Sequence, residues 1–247
     1  MNITVSVLSF ILSFVFALGG VGSGVVLVPI MFSLGIPINE AKPTGLFINT
    51  TSLSAASFSN IKHKRVDFKL GMPIIISSML LAPVGAYLSL FINKTIVMII
   101  FIVFLLFSSG VMIFFNPKKY EDKFRDDRPL GLLVFTGIIA GLLSGLLGIG
   151  AGSLISPLLV VSGFNPKKVV TITALVVPFS SLTGFLAYLK MGHVNIQLLI
   201  FAGLAAYLGG YLGTHFMHLK MKPMTVKRFL GIIVFLIAVD LIIKLFK

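Results

Sequence analysis

Three spaced glycines, Gly20, Gly22 and Gly24, recur 128 residues later as Gly148, Gly150 and Gly152. Each run leads into a short apolar stretch that holds a proline, Pro29 or Pro157, at the same relative place. Glycine lets a chain reverse and lets backbone come close to a ligand. A helix that starts at Gly24 or Gly152 aims N–H groups without intrahelical partners, and the positive end of its dipole, into the protein. Two such ends facing one another would suit a small anion. Ser23 stands inside the first run and Ser153 directly follows the second, and both would add hydroxyl donors. A competing reading gives the glycines packing duty alone, and the small-residue stripe Gly137, Gly141 and Gly145 speaks for it in part. Duplication of the motif at equivalent places favours the substrate-lining turn.

Polar residues follow each run inside stretches that are otherwise apolar. In the first half they include Asn49, Thr50 and Ser52, and in the second Thr173, Ser180 and Ser181. Such groups are costly in lipid unless they face protein or water. The candidate lining set is Asn49, Ser52, Thr173 and Ser180, with ordinary hydrogen bonding between helices as the alternative. Pro178 would kink its helix and free a carbonyl nearby. No Lys or Arg falls at an expected midplane, so an anion would be held by backbone N–H groups, hydroxyls and amides. Asp240 stands four residues before Lys244 and reads as an interfacial ion pair. His63 and His193 read as loop residues, and His215 with His218 as a headgroup-level pair rather than a metal site. No hydrolase motif, metal set or cofactor motif is present, so neither an enzyme nor a cofactor is expected.

The elements that must position these groups are membrane helices. The 247 residues have a mean hydropathy of +1.09, with 57% hydrophobic and only 11% charged residues. This is the composition of a polytopic helical membrane protein. The absence of cysteine excludes disulfides and thiolate metal sites. The net charge of +13 sits in short loops between apolar runs, which fits membrane orientation and not nucleic-acid binding. The first nineteen residues look like a signal peptide but carry no basic residue, and the repeat aligns Leu18 with Leu146, so they are read as structure.

Apolar runs between charged breaks place segments at 2–35, 44–61, 70–91 and 95–115, a charged linker at 116–129, and their repeats at 130–163, 169–189, 196–218 and 226–246. A straight helix over 2–35 would be about 51 Å long against a hydrocarbon core of about 30 Å, so the glycines must break it. If each broken segment turns back, fifteen of the twenty Lys and Arg fall on one side of the membrane; if each crosses, twelve do. The positive-inside rule prefers the hairpins. The expected fold is all-α, with about eight membrane segments as two inverted four-helix repeats, and the first helix of each repeat broken into a hairpin. Its parts are 1–115, the cytoplasmic linker 116–129, and 130–247. Both termini would lie outside the cell membrane.

The Gly-x-Gly-x-Gly runs leading into Val28-Pro29 and Ser156-Pro157, each followed by a Ser/Thr-rich span, resemble the sulfite exporter TauE/SafE family. So do Lys64-Arg65-Val66-Asp67 and its counterpart Gly192-His193-Val194-Asn195. The resemblance covers essentially the whole chain. It implies export of sulfite, sulfoacetate or related organosulfonates across the cytoplasmic membrane. Thr173-Ala174-Leu175 and Val177-Pro178 depart from the family's plainer Thr-Ser pattern, which bears on substrate identity. The expected function is therefore a secondary carrier for a small anion, working by alternating access, with membrane lipid as a partner, no nucleic acid, and a homodimer compatible with the sequence. An anion channel and a non-transporting subunit of a membrane complex are the alternatives.

Overall fold

A computed structural model describes residues 2–17, 21–114, 124–192, 194–220 and 223–245. Among these residues there are ten helices and no strand. They are α1 (Asn2–Ala17), α2 (Gly24–Ser33), α3 (Ile38–Lys62), α4 (Phe68–Leu88), α5 (Lys94–Phe114), α6 (Leu130–Leu147), α7 (Gly152–Val161), α8 (Pro166–Lys190), α9 (Ile196–Lys220) and α10 (Pro223–Leu245). Adding 128 to the bounds of α2 and α3 reproduces those of α7 and α8. The long opening segment of each half is broken as the glycines require. In the second half, Gly148 caps α6 in the left-handed conformation at φ +75°, and Gly150 follows at φ +77°.

Local chemistry sets the other boundaries. The Asp67 carboxylate accepts from the Leu70 N–H and caps α4, while Asn165 caps α8 just before Pro166. Residues 124–129 are tied to two loops at one end of the molecule. Arg128 pairs with Asp67 at 3.0 Å, Lys168 pairs with Asp126, and the Arg125 N–H donates to the Gly163 carbonyl. Partial burial pushes the Asp67 carboxyl up. The Arg128 hydrogen bond, the Leu70 amide and the charges of Arg128 and Lys168 outweigh it and hold Asp67 below its ordinary value of 3.8.

Glycines set the helix contacts. Gly137, Gly141 and Gly145 of α6 meet Ile74, Ser78 and Ala82 of α4 so closely that a Cβ would collide with that helix. Gly209 and Gly213 of α9 meet Phe10 and Phe14 of α1 in the same way. Positions rise together in both pairs, so each pair runs parallel. Gly85 against Leu142 and Gly213 against Phe14 are the same contact displaced by 128 residues. The equivalent helices α3 and α8 cross in opposite directions: Leu46 lies by Gly184, while Ser57 donates to the Ala174 carbonyl.

The core is apolar, but it also encloses small polar residues, and many large apolar side chains lie on the surface. Ser9, Ser13, Asn49, Ser52, Thr173 and Ser180 are buried, whereas Ile76, Leu80, Phe135, Ile200, Leu204 and Leu208 are more than half exposed. Among the described residues, five helical stretches are long and apolar enough to cross a membrane: α4, Thr95–Phe114 within α5, α6, α8, and Ile196–His215 within α9. α2 and α7 are short and buried along most of their length, with Val25 and Leu27 of α2 and Ile155 and Leu159 of α7 in the core. α3, read from sequence as a plain span, is not among the five, because its Asn, Ser and Thr residues make it too polar. It is sheltered by α2, α8 and α9 instead. The architecture is that of a polytopic helical membrane protein.

One basic residue is placed differently from the sequence reading. Lys42, which falls in the loop between the expected segments 2–35 and 44–61, lies within α3 and is 4% exposed, its stem packed against Gly148. The helix begins six residues earlier than the hydropathy pattern indicates, at Ile38 instead of residue 44, with Pro37 at its N-cap and Ala41 buried in its first turn. The Asp240–Lys244 pair forms as its spacing requires, at 2.6 Å.

Candidate substrate site between the glycine turns

α3 passes directly over both turns. Lys42, Gly45 and Asn49 share one helix face by their i, i+3, i+7 spacing. Lys42 packs on Gly148, Gly45 approaches the Gly148 carbonyl, and Asn49 reaches both halves. The Gly24 N–H donates to Asn49 Oδ1 at 2.8 Å, and Asn49 Nδ2 donates to the Ile149 carbonyl at 2.7 Å. Asn49 is fully buried, so both of its bonds form out of water. The absence of a side chain at the turns makes this fit. A Cβ on Gly22 would overlap Asn49, and one on Gly150 would meet Asn49 Nδ2 and stand 3.0 Å from Ser181 Oγ.

The two turns approach one another. A Cβ on Gly152 would lie 3.6 Å from the Gly22 amide nitrogen, and closer still to Val177 and Thr173 of α8. Gly22, Gly24, Asn49, Gly150, Gly152 and Thr173, all expected from sequence, thus come together. Gly20 lies outside the described residues. Gly148 borders the cluster and serves as the α6 cap.

The hydroxyls of five expected residues are already engaged. Ser23 pairs with Ser13 of α1, Oγ to Oγ at 2.9 Å. Ser52 and Ser180 donate within their own helices, to the Asn49 and Val177 carbonyls. Ser153 donates to the Gly150 carbonyl, while its own carbonyl accepts from Ser108 of α5. Thr173 spends its hydroxyl on Ser156 and presents its methyl to Gly152.

Ser181 is the residue that sequence reading set aside. Its hydroxyl is buried, points at Gly150, and makes no hydrogen bond among the described residues. Its neighbour Ser180 carried an equal sequence signal. The helix rotation that separates the two is set by packing and is not visible in composition.

The site is chemically one-sided despite the repeat. Gly45, Asn49 and Leu53 in one half correspond to Thr173, Val177 and Ser181 in the other. Backbone N–H groups, one amide, one unpartnered hydroxyl and a buried lysine stem converge here. No Asp or Glu is buried among the described residues. This set favours a compact anion over a cation or an apolar solute.

Comparison with known proteins places the chain among membrane transporters. The family model described as Sulfite exporter TauE/SafE matches residues 5–241. A probable membrane transporter protein of Methanocaldococcus jannaschii is 28% identical over 84% of this chain and 83% of its own length. The probable membrane transporter protein YunE of Bacillus subtilis is 28% identical over 96% and 95%. Sulfite exporter TauE/SafE family protein 5 of Arabidopsis thaliana is 34% identical over 40% of this chain and 22% of its own. No solved structure matches the chain.

Proposed function

This chain belongs to the sulfite exporter TauE/SafE family, whose members are membrane transporters and not enzymes, and on that premise we propose that it is a secondary carrier exporting a small sulfur oxyanion, sulfite or an organosulfonate. The observation that carries the reading is the Gly24 N–H at the start of α2, donating to the neutral oxygen of Asn49 between the two turns. An anionic oxygen is a stronger acceptor at that place than an amide carbonyl. Substrate would take the Gly24 amide, and Asn49 and the Ser181 hydroxyl would close around it.

The alternating-access part of the proposal rests on topology. Equivalent helices α3 and α8 cross antiparallel, which supports a twofold axis perpendicular to them and hence inverted halves. α1 runs parallel to α9, which begins at the end where α3 begins. α2 then returns toward α3, which supports a re-entrant hairpin. The ion pairs that gather residues 124–129 with the 63–67 and 162–168 loops support one basic, cytoplasmic end, with both termini at the other side of the cell membrane. An inside-negative potential drives anions outward by about 2.3 kcal/mol per charge per 100 mV, so export needs no coupling residue.

The test is flux of sulfite and of a labelled sulfonate in proteoliposomes under an imposed potential of either sign. Saturable flux that follows the potential is expected. Linear, non-saturating flux would replace the carrier by a channel, and absence of flux for both compounds would remove the sulfur oxyanion as substrate.

A further inference from the structure

The outer surface where α4 and α6 begin has two adjoining concavities of opposite character. One, of about 460 Å³, is lined by Lys64, Arg65, Lys69 and Arg128, with Asp67 the only carboxylate among the described residues that line it. Asp67 is already paired with Arg128 and bonded to the Leu70 amide. α4 and α6 run parallel and both start at this end, so their positive dipole ends add to the charge. The other concavity, of about 720 Å³, is a groove between Met72, Ile76 and Leu80 of α4 and Leu130, Val134 and Ile138 of α6. Phe68 and Lys69 line both, so the cationic hollow opens into the apolar groove.

We propose that this surface is a binding site for an acidic phospholipid, with the phosphate of the headgroup among Lys64, Arg65 and Lys69 and one acyl chain along the α4–α6 groove. The dimensions agree: Lys69 to Leu81 spans about 18 Å of helix, close to one leaflet of a hydrocarbon core about 30 Å thick. The small Ser77 lines the groove between larger side chains, and the flanking ridges stay exposed, Leu80 at 66%. Charge decides the class of lipid, because basic hollows between membrane helices select anionic headgroups. The repeat shows that the cations are not demanded by the fold. At the offset of 128 residues, Gly192, His193 and Gln197 stand where Lys64, Arg65 and Lys69 do.

The experiment is native mass spectrometry of the purified full chain in detergent, titrated with phosphatidylglycerol, phosphatidylcholine or inorganic phosphate. Phosphatidylglycerol is expected to bind more tightly than phosphatidylcholine. The Lys64→Gln, Arg65→Gln, Lys69→Gln triple variant should lose that preference, by on the order of a hundredfold in affinity for three charges. Ile76→Trp, which fills the groove, should weaken both lipids. If the triple variant elutes as aggregate, the single Lys69→Gln change should still reduce the preference by about fivefold. Equal binding of the two lipids, unchanged preference in the charge variants, or full displacement of phosphatidylglycerol by inorganic phosphate would each overturn the proposal.

Discussion

Asn49 holds the two halves together at a single amide. Its oxygen takes the Gly24 N–H and its nitrogen serves the Ile149 carbonyl. Replacing it by alanine leaves a buried donor and a buried acceptor without partners, at about 1–3 kcal/mol each. Asn49→Ala should therefore lower the melting temperature in detergent and abolish flux. Asn49→Asp keeps the acceptor for Gly24 but adds a negative charge beside the substrate, so it should recover part of the stability and none of the flux. Ser181→Ala separates site from scaffold. The hydroxyl it removes makes no hydrogen bond among the described residues, so stability should hold while the half-saturating substrate concentration rises several-fold, by roughly the 0.5–1.5 kcal/mol of one hydrogen bond. Unchanged flux in both Asn49→Ala and Ser181→Ala would remove the turns as the substrate site. Asn49 was legible as a candidate because an amide in an apolar run demands a partner. Ser181 was not, since nothing local distinguishes it from Ser180.

At the scale of helices, glycine serves two purposes that the sequence presents alike. Gly85 of α4 and Gly213 of α9 let a neighbouring helix come so close that any side chain would strike its backbone. Gly85→Leu and Gly213→Leu should each destabilise by about 1–3 kcal/mol or more through overpacking, measured by thermal unfolding. Gly110 of α5 faces open space, so Gly110→Ala should instead stabilise by about 0.5–1 kcal/mol, the helix-interior preference for alanine. The spacing of Gly137, Gly141 and Gly145 correctly signals close packing. Gly150 differs because its φ is +77° and its missing Cβ makes room for Asn49. Helix positions followed from apolar runs, but the start of α3 did not. Lys42 reads as a loop charge until the fold shows its stem buried on Gly148.

For the whole molecule, the proposed inversion makes a labelling prediction that the cysteine-free background keeps clean. Single cysteines at Lys64, Asp126 and Lys168 should react with an impermeant maleimide from one side of the membrane, and those at Asn93 and Gly192 from the other. Reaction of all five from one side would reject the topology. The linker contacts give a pH prediction. Asp67 has a folded-state pKa depressed below 3.8, so its pairing with Arg128 stabilises the fold above that value and fades as pH falls through the lower folded value. Wild type should melt higher than Asp67→Asn near neutrality, and the difference should shrink as the pH drops below about 4.

Composition and the repeat by themselves determined the helical membrane class, the broken first segment of each half and which helices of the two halves correspond. Hydropathy and glycine spacing act locally, and a duplicated segment folds alike in both copies. The repeat could not show which polar groups meet. Asn49 answers to Val177, and Ser181 to Leu53, so the two copies differ where the chemistry lies. Only the tertiary structure decided that the Asn49 amide bridges both turns, that Ser181 and not Ser180 faces Gly150, and that Lys42 is buried. Each depends on the rotation and depth of a helix against its neighbours, which packing sets and local sequence does not.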